Sequence, residues 1–208
     1  MELQPDPISA MDIIEYEPIS EEEYQRFEAR SPVRHEYVSG EVFAMTGGSL
    51  RHNRIGLNIA SRLGSHLRGT PCHVFMNDVR VRVAKAHAFY YPDLVVTCAS
   101  REKPLDMSAT QVEDAVLVVE VLSTSTQATD RREKLIAYRT LPGLVEYLLV
   151  SQDFAHIQIH RRREDIGWER IEYSGFETIH LASIALDLDM REVYEGVSVG
   201  AKPPDLER

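Results

Sequence analysis

From residue 115 to residue 122 the chain is apolar at every position except Glu120, the pattern of a strand buried on both faces of a sheet. Elsewhere the periods are easier to assign. Ile55, Ile59, Leu63 and Leu67 recur every four residues and predict one buried helix face, entered after the Gly47-Gly48-Ser49 break. A capping box at Ser20 and Glu23 predicts a short helix to about Ala29, closed by Pro32. Residues 36–43 read as a hairpin turning at Ser39-Gly40. Alternating apolar positions predict strands over 73–83, with a break near Asn77-Asp78, and over 90–97. A helix over 130–141 stops at Pro142-Gly143 and leads into a strand over 146–151, so this stretch reads as a β, loop, α, β crossover unit. Strands over 156–161 and 169–173, turning near Asp165-Ile166-Gly167, form a meander. The expected fold is α/β or α+β, a mixed β-sheet flanked by helices with an added hairpin and meander. Residues 16–196 are expected to form one domain, with an extension at 1–15 and a tail at 197–208.

Composition narrows the picture. The 208 residues are 43% hydrophobic and 27% charged, which is ordinary for a globular domain. The two cysteines, Cys72 and Cys98, lie in apolar surroundings and read as a reduced, buried pair. No stretch approaches eighteen apolar residues, and the acidic start lacks a basic flank and an apolar signal core, so the expected location is cytoplasmic with no membrane contact. A net charge of -10 excludes a protein that coats nucleic acid through phosphate neutralisation. Local basic runs at Arg80, Arg82 and Lys85, at Arg131 and Arg132, and at Arg161 to Arg163 read first as solvated faces.

Glu120 is where the chemistry starts, because an ionised carboxylate among valines costs several kcal/mol unless a partner offsets it. A metal ion is one such partner. Asp93 follows Pro92 and opens the run Leu94-Val95-Val96, so a second acid stands at the start of a strand that can lie beside the first. Two acids brought together repel without a cation between them, and hard oxygen ligands suit magnesium or manganese. Lys134 comes fourteen residues after Glu120 and four after Asp130, about one turn into the following helix, where its ammonium can reach back to the acids. A lysine there can orient an attacking water and stabilise charge on a phosphoryl oxygen.

Pro92-Asp93, the run Glu120-Val121-Leu122-Ser123-Thr124-Ser125-Thr126, then Asp130, Lys134, Tyr138 and Glu146-Tyr147-Leu148-Leu149-Val150 resemble the bacterial Uma family, classed with the endonucleases of the restriction-endonuclease-like PD-(D/E)XK superfamily. The resemblance runs from about Tyr16 to Tyr194 and includes Glu36-Tyr37, Gly40-Glu41 and His52. It implies a magnesium- or manganese-dependent endonuclease acting on nucleic acid, with DNA as the expected substrate and a homodimer as the expected assembly. Asp93 and Glu120 match the family's metal ligands. The superfamily pattern places a lysine two residues after the acid, where this chain has Leu122, and the resemblance gives that role to Lys134. Glu36 resembles the additional acid that many members contribute.

Each residue has a plainer reading. Asp130 and Glu133 form a capping-box pattern, so Asp130 reads as an N-cap. Tyr138 reads as core packing or as a phenol bonded to a site carboxylate. His52 reads as a solvent-facing helix residue or as support at the cleft. His156, His160 and Trp168 read as structural. The Ser123 to Thr126 run has no nearby histidine and no Gly-x-Ser-x-Gly elbow, which argues against a hydroxyl nucleophile. Two rival functions remain: a catalytically silent nuclease-like binding module, and a hydrolase of a smaller phosphoester with a deep, closed pocket.

Overall fold

The computed structural model describes residues 17–45, 47–100, 102–123 and 129–200. The first half contains α1 (Glu21–Glu28), β1 (His35–Val38), β2 (Glu41–Ala44), α2 (Leu50–His66), β3 (Cys72–Met76), β4 (Arg80–Val83), β5 (Ala88–Tyr90) and β6 (Leu94–Cys98). Then come β7 (Gln111–Val112), β8 (Ala115–Leu122), a π-helical turn (Asp130–Lys134) that runs into α3 (Leu135–Tyr138), and β9 (Glu146–Ser151). The last part holds β10 (His156–Arg163), β11 (Gly167–Ser174), β12 (Thr178–Leu181), β13 (Leu186–Asp189) and α4 (Met190–Val193).

Six strands form the central sheet in the order β11-β10-β9-β8-β6-β3. β8 and β9 run parallel, joined through the π-helical turn and α3 as the crossover reading expects, and the other neighbours are antiparallel. A second sheet has the order β2-β1-β5-β4-β7, and β12 pairs with β13 as a separate hairpin. The fold is therefore a mixed α+β arrangement of sheets flanked by a few helices.

Side chains alternate between the two faces of a strand, and β8 shows what that does here. Leu117, Val119 and Val121 pack with Ile55, Ile59 and Leu63 of α2 and with the β12–β13 hairpin. Val118 and Leu122 point the other way, into a core with Val81, Val83, Tyr90, Tyr138 and Tyr147. Glu120 shares the parity of Val118 and Leu122, which places it on the face covered by the second sheet and α3. On β6, Leu94 and Val96 join the α2 side while Val95 joins the other. Leu94 stands opposite Val119, so one residue further along each strand Asp93 and Glu120 become neighbours on the same face.

Buried polar groups tie the layers together. Glu146, at the start of β9, is wholly buried. Its carboxylate accepts from Arg161 Nε at 2.7 Å and from the amides of Ala182 and Ser183 at 3.2 and 2.9 Å. These bonds offset the desolvation of its charge and fix the β12–β13 turn to the central sheet.

Several expectations need correction. Cys72 and Cys98 are disulfide-bonded rather than reduced, because β3 and β6 pair with these residues directly opposite each other. The break expected near Asn77-Asp78 falls at Asn77, whose φ is +46°, but the strands on its two sides belong to different sheets instead of forming one long strand. The basic run at Arg80 and Arg82 is not a solvated face. Arg80 is buried over the rings of Tyr24 and Phe89, and Arg82 pairs with Glu21 and Glu113. Arg161 and Arg162 likewise bond inward, to Glu146 and to the carbonyls of Arg139 and Leu141. The helix over 130–141 is shorter and opens as a π-helical turn. The hydroxyl run beyond Ser123, residues 1–16 and residues 201–208 lie outside the described residues. Among the described residues no helix is long and apolar enough to cross a membrane.

Candidate active site

Asp93, Glu120 and Lys134 come together at the inner wall of a cleft of about 650 Å³, which is also lined by Ser49, His52 and Asp130. Glu120 reaches it because its strand parity turns it away from α2. Asp93 reaches it because β6 begins there. Its backbone amide lies 3.4 Å from Glu120 Oε2, and its Oδ2 accepts from the Val121 amide at 2.7 Å. Each acid is thus held by the other's strand.

The lysine arrives through the π-helical turn. A π turn widens the helix by one residue and is frequent at functional sites. Here both Asp130 and Lys134, four residues apart, are buried. Lys134 Nζ lies 2.8 Å from Glu36 Oε1, 3.2 Å from Glu120 Oε1 and 3.3 Å from Asp130 Oδ1, and it stands over the Tyr90 ring at 5.5 Å. Asp130 is therefore not the predicted N-cap. It is 2% exposed, its Oδ1 forms the ion pair with Lys134 but no hydrogen bond among the described residues, and its backbone carbonyl accepts from Tyr147 Oη. Glu36, on β1, accepts from the Tyr91 amide at 3.1 Å while it faces Lys134.

Four carboxylates, those of Glu36, Asp93, Glu120 and Asp130, share this small volume with one ammonium and one imidazole. Burial opposes the charge on Lys134, but Glu120, Glu36 and Asp130 outweigh it and hold the ammonium well above lysine's ordinary value. Burial pushes the Glu120 carboxyl well above its ordinary value, with Asp130, Asp93 and Glu36 adding to the push and Lys134 opposing it. Added positive charge near Glu120 would lower it again. His52 Nε2 stands 3.2 Å from Asp93 Oδ2, and that interaction raises the imidazole above its ordinary value against the effect of burial.

The donor set fits a hard divalent cation. Asp93 Oδ1 has no hydrogen-bond partner among the described residues, since Val121 and His52 both address Oδ2. Among the described residues no three His, Cys, Asp or Glu side chains form a ready-made cage. Magnesium does not need one, because it keeps several waters and takes one or two carboxylates plus substrate oxygens.

Other candidates stay outside the cluster. The Tyr138 hydroxyl has no partner among the described residues, and its ring packs against Tyr90 and Tyr147 rather than bonding a site acid. His156 contacts Glu172, His160 is buried between Gln158 and Arg139, and Trp168 lies under Arg139 and Arg162. Sequence reasoning did not single out the Tyr91 amide or Gln152, which accepts from Ser49 Oγ at 2.7 Å. Both act through contacts between distant segments, for which no local pattern exists.

Residues 21–191 match the family described as "Uma2: Putative restriction endonuclease". An uncharacterized protein of Synechocystis sp. is 34% identical over 181 residues, which is 86% of this chain and 93% of that protein. A second uncharacterized Synechocystis protein is 32% identical over 153 residues, covering 74% of this chain and 86% of its own. The crystal structure of a "putative nuclease belonging to DUF820" from Anabaena variabilis has the same fold, with a TM-score of 0.69 at 16% identity over 85% of this chain and 97% of that one. A match over most of the chain, joined to relatives above 30% identity and a shared fold, makes this chain a member of the Uma2 family of restriction-endonuclease-like proteins.

Proposed function

We propose that the cleft hydrolyses phosphodiester bonds in DNA with the help of magnesium or manganese. The observation that carries this reading is Glu120, a carboxylate buried in an apolar strand beside Asp93 and within 3.2 Å of the Lys134 ammonium. Asp93 and Glu120 are the metal ligands in this reading. When bound, the ion would lower the pKa of a coordinated water and polarise a phosphoryl oxygen. Lys134, kept charged by three acids, donates to the water or to the phosphoryl oxygen where negative charge develops. Glu36 and Asp130 hold the ammonium in place, and the Tyr91 amide fixes Glu36. The presence of both acids and the lysine disfavours a silent binding module.

Cleavage of supercoiled plasmid, single-stranded DNA and RNA of matched length tests this, with magnesium, manganese or EDTA. The wild type is expected to nick or linearise DNA with either metal and to stop in EDTA, and Glu120→Gln to lose the activity. DNA cleavage that persists in EDTA, or in Glu120→Gln, would refute the proposal.

A further inference from the structure

The first turn of α2 is built with more care than a helix start requires. Ser49 Oγ accepts from the His52 amide at 3.1 Å and donates to Gln152 Oε1 at 2.7 Å, and Arg51 pairs with Asp153 at 3.0 Å. These contacts anchor the turn to the segment that follows β9. A Cβ on Gly48 would stand 2.7 Å from Nδ1 of His52 and 3.0 Å from its Cγ, closer than side-chain carbons approach other heavy atoms. The loop backbone therefore lies against the imidazole ring, and only glycine leaves the ring its place.

The ring so held meets Asp93. His52 Nε2 is 3.2 Å from Asp93 Oδ2, the oxygen that also accepts from the Val121 amide at 2.7 Å. That contact draws Oδ2 toward the imidazole on α2. A backbone donor and an imidazole from different elements then converge on one oxygen of Asp93, and Oδ1 is left without a hydrogen-bond partner among the described residues.

We infer that His52, seated by Gly48, is a positioning residue that turns Asp93 so that Oδ1 is presented to a divalent cation. The inference rests on the reading of Asp93 and Glu120 as metal ligands. It assigns His52 no contact with substrate. Partners that orient a metal-binding carboxylate typically matter by 10- to 100-fold in metal affinity.

Isothermal titration of the full chain with manganese alone, without nucleic acid, tests it, with thermal melting of each variant alongside. The wild type is expected to bind manganese, and Asp93→Ala to lose binding. His52→Ala should bind about 10- to 100-fold more weakly, and Gly48→Ala should move in the same direction because it displaces the ring. His52→Gln, which returns an N–H at a similar reach, should recover most of the affinity while His52→Ala does not. If the wild type binds, Asp93→Ala does not, and His52→Ala binds as the wild type does, the role of His52 is overturned and the metal site stands. Equal loss in His52→Gln and His52→Ala also overturns it. If the wild type does not bind, or Asp93→Ala binds equally well, the metal reading fails and takes the inference with it.

Discussion

Lys134 and His160 show how differently two buried basic side chains behave when their neighbours differ in charge. Lys134 is surrounded by acids and keeps its charge. His160 is 3% exposed, and burial, with Arg139, Arg170 and Arg131 adding to it and Glu172 opposing, lowers its pKa to about 4. An unfolded histidine takes up a proton below about pH 6.5, whereas His160 in the fold stays neutral until about pH 4. Its contribution to stability is therefore complete above pH 6.5 and is lost as the pH falls toward 4. The loss across that window is of order 3 kcal/mol. Urea unfolding at pH 7 and pH 5 should show it, and His160→Gln should flatten the difference; an unchanged pH dependence in that variant would show that other groups set it. Residue-level chemistry was legible where burial left a mark on the sequence. Glu120 stood out because its neighbours are apolar, but Lys134 had only its spacing and a family resemblance to recommend it. Asp130 was misread because a capping pattern is local, while its burial comes from the sheet beneath.

The elements that place these residues are short, so small backbone features matter. In the β1–β2 hairpin, Ser39 and Gly40 have φ of +48° and +102°, the positive values that a tight two-residue turn needs. A Cβ on Gly40 would collide with the Cβ of Pro18. Gly40→Ala should therefore destabilise the fold by about 1 to 3 kcal/mol, read from its urea midpoint; a wild-type midpoint would mean that the hairpin and the residues near Pro18 yield easily. Glu36 sits on this hairpin, so the same change should loosen its hold on Lys134. The hairpin, α2, β8 and β9 were legible because each follows one period. The β12–β13 hairpin was not assigned, although Ile179, Leu181, Leu186 and Leu188 alternate with polar residues and are buried. The π-helical turn had no local sequence signal.

Across the whole molecule, a net charge of -10 sits beside a cleft that gathers four carboxylates. Long-range attraction to a polyanion is weak in such a protein, so in the proposed reading contact with DNA would depend on the cation and on Lys134. The sheet order brings this about: the parallel β8–β9 pair needs a crossover, and the crossover carries Lys134 back over Glu120. Fold class and the crossover were readable from periodicity. The disulfide was not, because it depends on which residues β3 and β6 set opposite each other. The most direct test of the site is the single-turnover rate of plasmid nicking in manganese by the wild type and by Lys134→Met, with manganese affinity measured on both. Loss of a group that stabilises charge in the transition state predicts a rate lower by about 10²- to 10³-fold in Lys134→Met, with manganese still bound. Nicking at the wild-type rate by a folded Lys134→Met protein would contradict the account.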